Sequence, residues 1–126
     1  MHITTDHHSV DQAITSPTDA LSALHALDGK NSTQLIASND NGCLMIGGGN
    51  DELYIVTFVV EEDTAFFNLL ADARAQDEQD IALVTGGQKG LFPARLCVDK
   101  ATATEALLYY IEHAAMHPGL NWEQDV

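Results

Sequence analysis

The chain has 126 residues, 45% of them hydrophobic, which is enough for one domain with a real core and too short for two comfortable ones. Five Lys and Arg stand against 19 Asp and Glu, giving a formal net charge of −14. This balance argues against binding to nucleic acid or to anionic membranes, since both require clustered cations. It favours a basic protein partner, with solubility alone as the alternative explanation.

The first ten residues, MHITTDHHSV, contain neither the basic region nor the apolar region of a secretory signal. No apolar run approaches the ~20 residues of a membrane-spanning helix. Cys43 and Cys97 lie in apolar runs and are predicted to be reduced, buried side chains of a cytoplasmic protein, with a disulfide between them as the alternative.

Residues 1–15 are polar and without period, which predicts a flexible N-terminal arm followed by a single domain over residues 16–126. The first helix is predicted over 17–28. Ser16 suits the N-cap and Pro17 suits the first helical position.

Three strands are predicted next, over 32–38, 43–48 and 52–62, with an Asn-Gly turn at 39–42. Consecutive antiparallel strands of this kind form a meander. Apolar residues on both faces of the third strand predict that it is central and covered on both sides.

Segment 64–72 is ambiguous between a short helix and a strand, and residues 73–80 are predicted to form an acidic loop. A strand over 81–87 then ends in a glycine turn, and residues 91–99 are predicted as its hairpin partner. Pro93 cannot donate a ladder hydrogen bond, so this strand should begin at an edge or a bulge.

A final helix is predicted over 102–115, with Thr102 and Glu105 as a capping box. The tail after it contains Trp122, which is expected to pack back onto the domain. The element order predicts an α+β fold: a single domain with an antiparallel sheet of about five strands, an N-terminal helix and a C-terminal helix.

The chain contains two glycine motifs, at residues 47–49 and 86–88. The triple glycine at 47–49 lacks the Gly-Lys-Ser/Thr and the helix of a phosphate loop, so it is interpreted as a strand-end turn. Gly-Gly-Gln at 86–88 resembles the loop of class I release factors, but too few cations surround it for ribosome binding. Gln88 is instead expected to hydrogen-bond loop backbone. The predicted structural residues are Gly47, Gly48, Gly49, Gly86, Gly87, Gln88, Gly90 and Trp122.

No arrangement of residues points to catalysis or to a cofactor. His2, His7 and His8 with Asp6 lie in the predicted arm, where ordering them would cost entropy. His113 and His117 have a zinc-compatible spacing without the Glu of a His-Glu-x-x-His motif. We therefore predict no enzyme activity, no metal and no cofactor.

Residues 61–80, EEDTAFFNLLADARAQDEQD, contain seven acids and one base. They form either a solvated face or a binding surface for a basic protein, with an apolar centre ringed by acids. The candidate partner-binding residues are Glu61, Glu62, Asp63, Phe67, Asp77, Glu78 and Asp80.

The segments ALSALHALDG, LMIGGGNDELYIVTFV, FFNL, VTGGQKGLFPARLCVD and NWE occur in an order that resembles the family-one immunity proteins of bacterial polymorphic toxin systems. The resemblance covers about residues 20–123. It implies an α+β, non-enzymatic, cytoplasmic protein that binds the C-terminal domain of a cognate toxin, and it implies that Gly86-Gly87-Gln88 is a fold signature. Toxins linked to this family include nucleic-acid deaminases and nucleases.

We therefore expect a monomer that binds a basic toxin one to one and occludes its active site or substrate groove. A small acidic secretion chaperone that binds an effector segment is the alternative.

Overall fold

The computed structural model describes residues 2–5, 12–13, 17–39, 42–60, 65–71 and 79–125. Within these ranges the chain forms two helices, α1 (Pro17–His25) and α2 (Lys100–His113), and ten strands. The strands are β1 (His2–Thr5), β2 (Gln12–Ala13), β3 (Gln34–Asn39), β4 (Gly42–Gly48), β5 (Leu53–Val60), β6 (Phe66–Leu69), β7 (Asp80–Thr85), β8 (Gln88–Pro93), β9 (Val98–Asp99) and β10 (Trp122–Asp125).

The main sheet is antiparallel and runs in the order β10-β6-β5-β4-β3-β1-β2, with β9 paired to one end of β5. Strands β7 and β8 form a separate two-stranded hairpin. The α+β class and the antiparallel sheet are confirmed, as is the meander of β3, β4 and β5. The expected number of about five strands is too low.

The additional strands come from short, polar segments at the sheet margins. Residues 2–5 pair with β3 and residues 12–13 pair with β1, although both were predicted to belong to a flexible arm. Residues 122–125 pair with β6. An existing strand offers a neighbouring segment its free backbone groups, so such pairing does not require an alternating apolar pattern. Ile3, which is 5% exposed, is the one hydrophobic residue of β1.

Both helices pack on the same face of the main sheet. Leu24 of α1 and Leu107 of α2 belong to one core cluster with Leu35, Leu44 and Val56 of the sheet. On β5, Tyr54, Val56 and Phe58 are buried on one face. On the opposite face Val59 is buried, and Leu53, Ile55 and Thr57 are half-buried. As predicted, β5 is a central strand, between β4 and β6, and no residue on either of its faces is exposed; the face towards the helices is the more deeply buried one.

The helix boundaries differ from the sequence-based ones by two or three residues, and an aspartate bonds to the backbone close to each difference. Helix α1 ends at His25 instead of residue 28, and the Asp28 carboxylate accepts hydrogen bonds from three following backbone N–H groups, at 2.8–3.1 Å. Helix α2 begins at Lys100, and the carboxylate of Asp99 accepts from the backbone N–H of Thr102 at 2.8 Å. The predicted capping box at Thr102 and Glu105 is therefore wrong. The expected N-cap of α1, Ser16, lies outside the described residues.

The ambiguous segment 64–72 contains a strand, β6. The predicted partner strand over 91–99 is divided: β8 ends at Pro93, residues 94–96 form a 3₁₀ turn, and β9 follows. Neither described helix combines the length and the apolar character needed to cross a membrane.

Candidate partner-binding site

The triple glycine lets β4 lie close to β7 and to the loop after α1. Gly48 and Gly49 have φ values of 100° and 99°, which disfavour a residue with a side chain. A Cβ added to Gly47 would lie 2.6 Å from Cγ2 of Thr85, so β7 passes directly over this glycine. The next residue, Asn50, accepts a hydrogen bond from the backbone N–H of Val84 at 2.9 Å. The motif therefore holds the β7–β8 hairpin against the sheet.

The hairpin turn is formed by Gly86 and Gly87, whose φ values of 59° and 80° are typical of a type I′ turn. The backbone N–H of Gly87 donates to Oγ1 of the buried Thr33 at 2.9 Å. Gln88 is exposed, and its side chain makes no hydrogen bond within the described part of the chain. The expected role of Gln88 in holding the turn is instead performed by Thr33 and by the two glycines.

The two faces of the hairpin differ in burial. Leu83 of β7 is 1% exposed and lies against Gly48. On the opposite face Ala82 is paired with Leu91, and both are exposed; Leu91 is 69% exposed. Asp80, also exposed, is two residues before Ala82 on the same face. This outer hairpin face is therefore an apolar pair with Asp80 at one end and the exposed Lys89 at the other.

The structure describes two of the seven candidate binding residues, Phe67 and Asp80. Phe67 is half-buried, pairs with Phe58 and packs against the core, while its neighbour Phe66 is 39% exposed. The other five candidates, Glu61, Glu62, Asp63, Asp77 and Glu78, lie outside the described residues.

The acids of residues 61–80 lie in two segments, 61–64 and 72–78, apart from Asp80, and the structure describes the residues that flank each segment. Segment 61–64 joins Val60 to Ala65, where the backbone N–H of Val60 donates to the carbonyl of Ala65 at 3.0 Å. Segment 72–78 begins after Ala71, whose backbone N–H donates to the carbonyl of Arg95 at 2.7 Å. These anchors flank opposite ends of β6, separated by at most about 20 Å of extended chain. The acids of residues 61–80 therefore belong to two separately attached segments.

A cavity of about 400 Å³ lies beside the anchor of the second segment. Its lining combines apolar and polar side chains: Leu70, Ala71, Arg95, Leu120, Asn121, Trp122 and Glu123. Arg95 donates two hydrogen bonds to Glu123, at 3.1 and 3.2 Å, and these hold the pKa of the Glu123 carboxyl below its ordinary value.

Trp122 packs against the core, as the sequence predicted, and its indole N–H donates to the carbonyl of His117 at 3.1 Å. The tail is thus fixed by the indole group as well as by the pairing of β10 with β6.

The described residues contain no group of three His, Cys, Asp or Glu side chains that could hold a metal ion. His113 and His117 both contact the ring of Tyr109, with centroid separations of 4.3 and 4.8 Å. Asp6, His7 and His8 lie outside the described ranges. Cys97 is buried as predicted, Cys43 is half-buried, and neither forms a disulfide.

Sequence reasoning missed the exposed pair of Ala82 and Leu91. A signal for it exists, since residues 81–98 contain no acid in a chain with 19. The alternation of strand residues does not reveal which face lacks a neighbour, and for that reason Leu91 was not identified.

A search of curated proteins finds no match to the chain. The family model described as Immunity protein Imm1 matches residues 7–124, nearly the whole sequence. The resemblance to family-one immunity proteins is thereby confirmed, and the chain belongs to the Imm1 family of immunity proteins.

Proposed function

We propose that this protein binds a basic, nucleic-acid-targeting toxin, such as a deaminase or a nuclease, and neutralises it by blocking its active site or substrate groove. The observation that carries the proposal is an excess of 14 negative charges on a member of an immunity-protein family. A protein that acts on nucleic acid needs a cationic groove, and an acidic surface complements it while repelling the true substrate. The protein acts without catalysis, as a monomer bound one to one in the cytoplasm of the producing cell.

The acids of segments 61–64 and 72–78, together with Asp80 at the start of β7, are the proposed source of the attraction between this protein and the toxin. Exposed charges mainly accelerate association, because they act over distance before contact is made. Their separate anchoring at the two ends of β6 predicts that each segment contributes on its own, so variants in each should be examined individually.

The experiment measures association with the C-terminal domain of the protein encoded beside this chain's gene. Replacing Glu61 and Glu62 with lysine should lower the on-rate, most strongly at low salt. The Debye length is about 30 Å at 0.01 M and about 8 Å at 0.15 M ionic strength, so the difference should shrink as salt is added.

A matched control replaces Glu105 and Glu112, two exposed carboxylates of α2, with lysine. The change in net charge is the same, so any effect of overall charge alone is shared by both variants. Equal on-rates for the two variants at low salt would contradict the proposed role of residues 61–63.

The alternative, a small acidic secretion chaperone, predicts a dimer that binds an unfolded effector segment. Mass measurement of the complex distinguishes the two functions. A one-to-one complex with a folded toxin domain supports immunity, and a dimer bound to an unfolded segment supports the chaperone.

A further inference from the structure

The outer edge of β8, which has no strand beside it in the described part of the chain, is the feature that most resembles an unfilled binding site. Among the described residues β8 pairs with β7 alone. The other side of the hairpin is fixed: Val84 of β7 donates to Asn50, and Gly87 in the turn donates to Thr33, both at 2.9 Å. One edge of the hairpin is therefore held rigidly while the other offers its backbone to a further strand.

The register identifies which backbone groups are offered. In a hairpin with a two-residue turn, the flanking pair exchanges both backbone hydrogen bonds, and such pairs alternate along the ladder. Here that pair is Thr85 and Gln88, so Gln88, Gly90 and Phe92 direct their N–H and C=O groups towards β7. Lys89 and Leu91 direct theirs away from it.

Pro93 occupies the next outward position and has no N–H to donate. The edge can therefore pair with a short segment only. This limits it to a strand of a few residues, which distinguishes a defined docking site from an edge open to unlimited sheet growth.

The side chains beside this edge have the composition of an interface centre. Leu91 is 69% exposed and lies across from the exposed Ala82, and residues 81–98 carry no acid. Interface centres are depleted in charge and enriched in apolar area, with charged groups at the rim. The same face carries a charge at each end, the carboxylate of Asp80 and the exposed ammonium of Lys89, so charged groups flank the apolar pair.

We propose that an extended segment of the cognate toxin adds to β8 as a third strand, with Leu91 packing against it. This inference rests on the proposed function and specifies how the toxin is held. Main-chain bonds from Lys89 and Leu91 provide affinity, as in other complexes formed by strand addition. The acidic segments then accelerate encounter, and the hairpin edge determines how long the complex lasts.

The test is amide hydrogen exchange of the wild-type chain, alone and bound to the domain encoded beside its gene. In the free chain the amides of Lys89 and Leu91 should exchange fast, and those of Gly90 and Phe92 slowly. Binding should slow exchange at Lys89 and Leu91 by about 100-fold or more, since each becomes hydrogen-bonded.

Substitutions provide an independent readout. Leu91→Ala keeps the N–H group and should weaken binding about tenfold, whereas Leu91→Pro also removes that donor and should weaken it about 100-fold. The control is Phe66→Ala, which truncates an exposed aromatic on β6, a strand paired on both edges by β5 and β10. It should change affinity by less than about twofold.

The outcomes separate this inference from the function on which it rests. Binding without added protection at Lys89 and Leu91 overturns strand addition and leaves the immunity function intact. No binding by the wild-type chain overturns both. Protection that appears in the free chain as its concentration rises assigns the edge to a second copy of this chain, and overturns the toxin as its occupant.

Discussion

Tyr110 joins α2 to the end of β4, and replacing it with phenylalanine should have a cost that depends on pH. Its side chain is 1% exposed, and its hydroxyl donates to the backbone carbonyl of Gly42 at 2.9 Å. Its ring also meets Phe58 edge to face, with centroids 5.9 Å apart. Tyr110→Phe keeps the ring packing and removes the hydroxyl with its hydrogen bonds to Gly42 and to the backbone of Asn39, so it should lower the free energy of unfolding at pH 7 by about 1–2 kcal/mol.

The pKa of Tyr110 is raised from 10.0 to about 12. Burial of the hydroxyl is the larger cause, and the nearby Cys43 thiol is the smaller one. The stability that this group contributes is fully present below pH 10, and it is lost as the pH rises from 10 towards 12, because the unfolded chain ionises first. A difference of about two pKa units corresponds to at most about 3 kcal/mol. The wild type should therefore lose its advantage over Tyr110→Phe in this pH range.

Urea denaturation at pH 7 and at several values between pH 10 and 12 measures both effects. Tyr109→Phe is the control: this ring is half-buried on the same helix, and its replacement should change stability at pH 7 by less than about 0.5 kcal/mol. An advantage of the wild type that stays constant up to pH 12 would refute the account of Tyr110.

Three further predictions concern the motifs. Gln88→Ala should change the free energy of unfolding by less than about 0.5 kcal/mol and leave toxin protection intact, because this exposed side chain makes no hydrogen bond in the described part of the chain. Urea melts and survival assays check this, and lost protection with an unchanged melt would show that Gln88 contacts the toxin. Trp122→Ala should destabilise by about 2–3 kcal/mol in urea melts, because it removes a half-buried indole and its bond to His117; a wild-type melt would show that the tail is free. Gly87 has a φ of +80° and open space around an added Cβ, so Gly87→Ala should lower the free energy of unfolding by about 1 kcal/mol. Gly49→Ala should lower it further, because the added Cβ would clash with the Leu27 backbone, and equal urea melts for the two variants would contradict this.

Local chemistry allowed much of the fold to be predicted from the sequence. The turn glycines, the apolar stripes of the two helices and the alternation in β3 to β5 each act through near neighbours, and these predictions were correct to within a few residues. The margins of the sheet were not predictable in this way. Residues 2–5 and 12–13 are strands because a partner edge is available to them, which is a property of the assembled fold.

The candidate site likewise has features that could be predicted from the sequence and features that depend on the assembled fold. Acid-rich segments are visible in the sequence, but their attachment at opposite ends of β6 follows from strand pairing that connects distant residues. The exposure of Leu91 likewise depends on which hairpin face meets the sheet. Asp99 as the cap of α2 could have been found, since Asp is at least as good an N-cap as Thr.

The most direct test of the central claim is displacement of nucleic acid from the toxin. A catalytically inactive form of the toxin domain encoded beside this chain's gene is bound to a fluorescent oligonucleotide, and this protein is titrated in while anisotropy is recorded. The account predicts complete release of the oligonucleotide at one equivalent of the immunity protein. A stable ternary complex, with toxin, oligonucleotide and this protein bound together, would contradict occlusion.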